Sequence, residues 1–266
     1  MVSRLEKIKE TWNNYSQVYI ETMEHIASMI YENIINLAKI ESSSQILEVG
    51  CGPGNGVRIL CSKKLQNATI TACDISESMI SIAQSRNFPN CNFLVANNEE
   101  LPFECSSFDR YIANLSLHVV ENPIKMIEEA YRVLQPGGIA LFSTFSPPGP
   151  GNFMTLIENS ASLVGAPKNP NKYFDLNNDE YVKKLLKDSG FTRTLSFYSS
   201  ACIPATTVDE VLRFIGRNHV VEEVRAIDSE MHKKLLESMR EETKRLLDNG
   251  QLITFDYLAV VAIRDS

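Results

Sequence analysis

Four glycines at alternate positions, Gly50, Gly52, Gly54 and Gly56, follow directly on the run Ile46-Leu47-Glu48-Val49. Glycine takes positive φ freely and lets backbone amides approach a ligand that any Cβ would hold off. The run before them reads as a buried strand, and Val57-Arg58-Ile59-Leu60 reads as the start of a helix. Strand, glycine turn and helix make the corner at which an open α/β sheet binds nucleotides, beyond the carboxyl ends of its strands. The dinucleotide fingerprint Gly-x-Gly-x-x-Gly fails in both registers, because its sixth position falls on Asn55 or on Val57. A P-loop fails as well, since no Gly-Lys-Ser/Thr follows.

Two further side chains bring chemistry near this corner. Asp74 ends a second apolar stretch, Ala68–Cys73, about 20 residues past the turn, where an acid accepts from a ribose diol. Its competing role is to help cap the helix announced by Ser76. His118 closes a fourth stretch, Arg110–His118. It suits a general base for a hydroxyl or ammonium nucleophile, or equally a structural donor at a helix start. Trp12, Tyr15 and Tyr19 share one face of an N-terminal helical segment. They pack a core or cover the ligand mouth, and Tyr19 joins His118 as a candidate catalytic side chain.

The elements that must position these residues follow from periodicity. Residues 3–40 read as helix, with Met23, Ile26, Ile30, Ile34 and Leu37 as one apolar stripe. Strands are expected near 46–49, 68–73, 91–96, 110–118, 139–145, 191–200 and 252–263. Helices are expected after Gly56 and Ser76, after the Asn122-Pro123 cap, and over 153–164, 178–189, from Thr206 or Thr207, and over 229–248. This order implies a Rossmann-like three-layer α/β/α sandwich around a seven-stranded, mostly parallel sheet, with helical lid insertions. A single domain over 1–266 is expected, divided into a helical cap (1–40), a core (46–145) and lid segments (146–175 and 201–250).

The turn Glu48-x-Gly50-x-Gly52-x-Gly54 resembles the first motif of the class I S-adenosylmethionine-dependent methyltransferases. Asn97-Asn98-Glu99-Glu100-Leu101-Pro102-Phe103 with Ser107-Phe108-Asp109, the end of the fourth strand, and Arg132-Val133-Leu134-Gln135-Pro136-Gly137-Gly138 are similar to the same family, in the same order. The resemblance covers about Ile46 to Phe145. It implies S-adenosyl-L-methionine as cofactor and S-adenosyl-L-homocysteine as product, with the last strand antiparallel beside the sixth. It implies cofactor contacts from Glu48, Gly50, Cys51 and Gly52 at the turn, and from Asp74, Ile75 and Met79 after the second strand. Asn97, Asn98 and Glu99 fall at the adenine, Asn114 and Leu115 at the methionine moiety, and Tyr15 and Tyr19 in the cover. Asn97 stands where the family has Asp; its carbonyl still accepts, and its amide adds a donor. The acceptor pocket is assigned to Trp12, Tyr15, His118, Phe145, Phe153, Phe174 and Arg213. Arg213 and Arg217 either pair with an acidic acceptor or form a solvated face.

Net charge is −7 and no basic block occurs, which disfavours a nucleic-acid partner. The six cysteines form no Cys-x-x-Cys pair, so reduced thiols and no metal are expected. The charged start Arg4-Leu5-Glu6-Lys7 lacks the apolar core of a signal peptide, and the run Tyr257–Ile263 is too short to span a bilayer. A cytoplasmic methyltransferase for a small-molecule or lipid-like acceptor is therefore expected. The alternatives are a non-catalytic cofactor-binding partner or activator subunit, and an NAD-dependent dehydrogenase. The pattern leaves the oligomeric state unknown.

Overall fold

The computed structural model describes residues 3–63, 65, 68–166 and 172–265, the side chains of 172–174 excepted. Among these residues, β1 (Gln45–Val49), β2 (Thr69–Asp74), β3 (Cys91–Val95), β4 (Phe108–Ala113), β5 (Leu134–Phe145), β6 (Arg193–Cys202) and β7 (Thr254–Ile263) form one sheet. Its order is β3-β2-β1-β4-β5-β7-β6. The first five strands run parallel, and β7 lies antiparallel between β5 and β6. Helices cover both faces: α1 (Arg4–Thr22), α2 (Glu24–Ile34), α3 (Asn55–Ser62), α4 (Glu77–Ser85), α5 (Pro123–Val133), α6 (Phe153–Leu163), α7 (Asp179–Asp188), α8 (Val208–Ile215), α9 (His219–Ile227) and α10 (Ser229–Asp248). The fold is the expected three-layer Rossmann-like sandwich.

The central strands carry apolar residues continuously because both faces of a parallel sheet are covered. Ile46, Leu47, Val49, Tyr111, Ile112 and Ala113 are all fully buried. One face packs under α2, α3, α6 and α8–α10, the other under α5 and α7.

Three departures from the sequence reading shape the site. The N-terminal helix is two helices, broken at Met23. The hydroxyl of Thr22 donates back to the Val18 carbonyl, 2.7 Å away, a bond that competes with helix continuation. The break lets α2 press Ile26, Ile30 and Ile34 into the core while α1 turns its aromatic face elsewhere. Strand β4 stops at Ala113 rather than continuing to His118. Leu115 there takes φ +53°, which ends a strand. Finally, α9 is a separate helix capped by Asn218, whose side chain accepts from the Val220 amide at 3.0 Å.

Candidate active site

The strand order sets the site. The carboxyl ends of β3, β2, β1, β4 and β5 lie in a row, and the amino end of antiparallel β7 joins them, with Phe145 opposite Tyr257. Neighbouring strands lie about 4.8 Å apart, so the row from β3 to β7 spans about 24 Å. Over it lies a cavity of about 390 Å³, roofed by α1 and flanked by α6 and α9.

The glycine turn forms the middle of the floor. Gly50, Gly52 and Gly54 have φ of +59°, +54° and +89°, values that side chains adopt only with strain. A Cβ on Gly50 would stand 2.7 Å from the Ser116 Cβ. A Cβ on Gly52 would meet nothing closer than the Tyr19 ring at 3.9 Å, so the space above that residue belongs to the cavity. The Gly52 amide donates to Asp74 Oδ2 and the Ser76 amide to Asp74 Oδ1, each at 2.9 Å. Asp74 is buried, and its carboxyl still lines the cavity. Burial pushes its pKa up, and the backbone amides pull it back. Asp74 thus braces the turn and the α4 entry, and its carboxyl also faces the cavity. Ser76 caps α4 through Met79 and donates to Asn13 of α1 at 2.7 Å, tying roof to floor.

Ile75, Met79, Asn97, Asn98 and Glu99 line the β2–β3 end. Asn97 Oδ1 accepts from the Glu99 amide at 3.1 Å, as an Asp would, which leaves its amide nitrogen as an added donor. Glu99 accepts from the Glu121 amide at 2.6 Å. At the end of β4, Asn114 is fully engaged. Its amide donates to the Ala27 carbonyl at 3.1 Å, and its oxygen accepts from Ser143 at 2.7 Å. Ser143 in turn accepts from the Leu115 amide at 2.8 Å, holding that residue in its left-handed conformation. Ser116 follows; its hydroxyl is buried, lines the cavity and has no partner among the described residues.

Trp12, Tyr15, Tyr19, His118, Phe145 and Phe153 line the same cavity. Trp12 stands edge-on to Tyr15 and to Tyr19, both at 6.0 Å. The Tyr15 hydroxyl donates to the Arg217 carbonyl at 3.0 Å, so it fastens α1 to the segment before α9. His118 lies 3.9 Å from the Phe145 ring centroid, with Nδ1 3.2 Å from Thr144 Oγ1. Burial, and after it the His219 ring, push its pKa down to about 3. The imidazole is therefore neutral near pH 7 and a weak base.

Three assigned residues lie elsewhere, and a fourth cannot be placed. Glu48 and Cys51 sit beneath the turn, against a recess of about 30 Å³ rather than the main cavity. Glu48 accepts from the Tyr31 hydroxyl at 3.1 Å, and burial pushes its carboxyl up to about 8. That carboxyl occupies the space a side chain at Gly56 would need. Arg213 is exposed on α8 and does not line the cavity, which corrects its assignment to the acceptor pocket. The Phe174 side chain lies outside the described residues. The sequence reading missed Ser116, Glu158, Phe255, and His219 and Glu223 of α9. The Asn218 cap after Gly216 was the available signal for α9.

Among the described residues no group of His, Cys, Asp or Glu is placed to hold a metal ion, and no helix is long and apolar enough to cross a membrane. Residues 47–142 match the family model described as methyltransferase domain. The chain is 32% identical over 155 residues to phthiotriol/phenolphthiotriol dimycocerosates methyltransferase 1 of Mycobacterium ulcerans, covering 58% of this chain and 55% of that protein. It is 33% identical over 152 residues to malonyl-[acyl-carrier protein] O-methyltransferase of Priestia megaterium, covering 56% and 54%. The chain thus spans about half the length of these curated relatives. Among solved structures it is similar to Haemonchus contortus phosphoethanolamine N-methyltransferase 2 in complex with phosphomonomethylethanolamine and S-adenosylhomocysteine. That match has a TM-score of 0.59 at 17% identity, over 99% of this chain and 58% of that one.

Proposed function

We propose, for a chain that belongs to the class I S-adenosylmethionine-dependent methyltransferases, that the cavity takes S-adenosylmethionine along the β3–β2–β1–β4 ends and a small-molecule or lipid-like acceptor toward β5 and β7. The observation that carries this reading is one continuous cavity running from Asp74, over the bare backbone of Gly52, to Phe255. The residues fit the cofactor: a cradle that a Cβ would fill, a lining carboxylate one strand away on the β2 side, and the partnerless hydroxyl of Ser116 on the β4 side. When bound, S-adenosylmethionine supplies a methyl group on a positively charged sulfur, already a good leaving group.

The chain's own contribution is then placement and exclusion of water. Asp74 has lone pairs to accept from two ribose hydroxyls, while Ile75 and Met79 offer apolar surface to the adenine. The Asn97 amide donates toward a ring nitrogen, and the Ser116 hydroxyl hydrogen-bonds the methionine portion. Tyr19 and Trp12 close the roof over the methyl, where alignment and drying account for most of an in-line displacement's acceleration. His118, neutral and weakly basic, shapes the acceptor wall rather than removing a proton. Calorimetry with S-adenosylhomocysteine and with NAD tests the assignment. Heat is expected with the first alone; no binding of S-adenosylhomocysteine would end this reading.

A further inference from the structure

Away from the cavity, we propose that Cys61 and Cys91 form a reversible redox site, at which a small-molecule disulfide oxidises the two thiols to a staple across the β2–α4 unit. Cys61 sits in the last turn of α3, and Cys91 opens β3. Their sulfurs stand 3.5 Å apart, although 30 residues separate them in sequence. Among the described residues this is the one pair of thiols within hydrogen-bond reach. The Pro89 carbonyl oxygen lies 3.2 Å from Cys91 Sγ and 3.9 Å from Cys61 Sγ, so both sulfurs converge on one point. Cys51 and Cys73 are buried, whereas Cys61 and Cys91 are half-buried and within reach of an oxidant. A disulfide holds its sulfurs at about 2.05 Å, so closure asks for an approach of about 1.5 Å. Both thiols stand at element ends, where small shifts cost least. Among the described residues no His, Asp or Glu joins them in a metal-binding group, so the chemistry open to the pair is with each other.

Burial pushes both thiols up, Cys91 to about 12, while the Cys91 S–H pulls Cys61 back down. Cys61 is therefore the easier thiolate, and the thiolate is the nucleophile. Having lost its proton to water, Cys61 attacks one sulfur of the oxidant and forms a mixed disulfide. The other half of the oxidant leaves as a thiolate and takes up a proton. Cys91 then loses its proton and attacks the Cys61 sulfur; the Cys61–Cys91 bond forms and the second half leaves as a thiol. Two protein thiols give up two electrons, and one small disulfide gains them as two thiols. The loop so closed carries β2, Asp74 and α4. Because α3 runs back from the glycine turn, its end and the start of β3 lie at the amino ends of the strands, opposite the cavity. Neither cysteine lines the cavity. The staple thus restrains the unfolded chain without touching the ligand space.

The test oxidises the intact chain with excess oxidised glutathione, then reads it by non-reducing peptide mass spectrometry and by thermal unfolding. A peptide linking Cys61 to Cys91 is expected, and dithiothreitol should remove it. Closing a loop of this length is expected to raise the unfolding midpoint by about 5 °C or more over the reduced protein. C61S and C91S should show no such rise under the same treatment. A cooperative unfolding transition reports that each variant is folded, and either alone suffices. The variants also carry any glutathione added at the exposed Cys105 and Cys202, so they are the reference for those adducts. Glutathione on Cys61 or Cys91 in place of the linked peptide, both thiols left unoxidised, a linked protein no more stable than the reduced one, or an equal rise in the variants overturns the inference.

Discussion

At the β1–β2–β4 end of the cavity the protein satisfies nearly every polar side chain itself. Asp74 accepts two backbone amides, Asn114 uses both ends of its amide, and Asn97 and Glu99 close local turns. At the β5–β7 end, Glu158 and Glu223 have no partner among the described residues, and the walls are rings, Phe145 and Phe255 on strands and Phe153 and His219 on helices. The first end is fixed before a ligand arrives, which suits a ligand that never changes. The second keeps two carboxylates without a partner among the described residues, one half-buried and one exposed, so less of it is fixed in advance. Stability should therefore reside chiefly in the first end, and substitutions should separate the two.

Gly56→Ala should do so most strongly. Its Cβ would collide with Glu48 Oε1 and fall 2.5 Å from the Tyr31 ring. Overpacking costs about 1–3 kcal/mol, and this site adds displacement of a buried carboxyl, so a loss near the top of that range or beyond is expected. Urea unfolding measures it. By contrast, Glu158→Gln removes a partnerless carboxylate and should move the midpoint little, with a change within about 0.5 kcal/mol. Equal losses in the two variants would erase the contrast.

Next in size is the pH dependence set by Glu48. Burial raises its pKa from 4.5 to about 8, so the folded state holds a proton that the unfolded chain has released above pH 4.5. Its favourable contribution is full below pH 4.5 and is lost as pH rises toward 8, at up to about 1.4 kcal/mol per pH unit. Wild-type stability should fall by about 2–4 kcal/mol between pH 5 and 8 from this group. Glu48→Gln should flatten that slope, and an unchanged slope would place the proton elsewhere.

Asp74→Asn should weaken S-adenosylhomocysteine binding by about 10- to 100-fold, the range for lost hydrogen bonds to a charged group. Calorimetry reads it directly. An unchanged affinity would leave Asp74 as a brace for the turn and nothing more.

How much of this was legible beforehand follows the same division. The glycine turn and the acid after β2 were readable because backbone geometry dictates them: positive φ demands glycine, and a strand end fixes where a carboxylate stands; the antiparallel last strand came from the family resemblance alone. The Asn114 side chain was not readable as a brace, because its partners, Ala27 and Ser143, are remote in sequence. The acceptor end was the least legible. Glu158 and Glu223 look like solvated charges within α6 and α9, and only the packing of those helices around the cavity turns them inward. Arg213 shows the converse error, a charge of plausible sign on the outer face of α8.

The smallest expected effect concerns the histidines, and it bears on what the acceptor end does. Burial lowers His118 to about 3 and His219 to about 4, from 6.5. Their neutral rings stabilise the fold fully above pH 6.5, and that contribution is lost as pH falls toward 4. Within pH 6.5–8 neither ring changes charge, so the methyl-transfer rate should carry no step from His118 there. His118→Gln should keep the shape of that profile and lower kcat by less than about tenfold, the effect of a changed wall rather than a lost base. Radiolabelled methyl transfer across this range, in both proteins, measures it. A step near pH 6.5 that vanishes in the variant would make His118 a working base, and the acceptor end would then be pre-set for one chemistry, just as the cofactor end is.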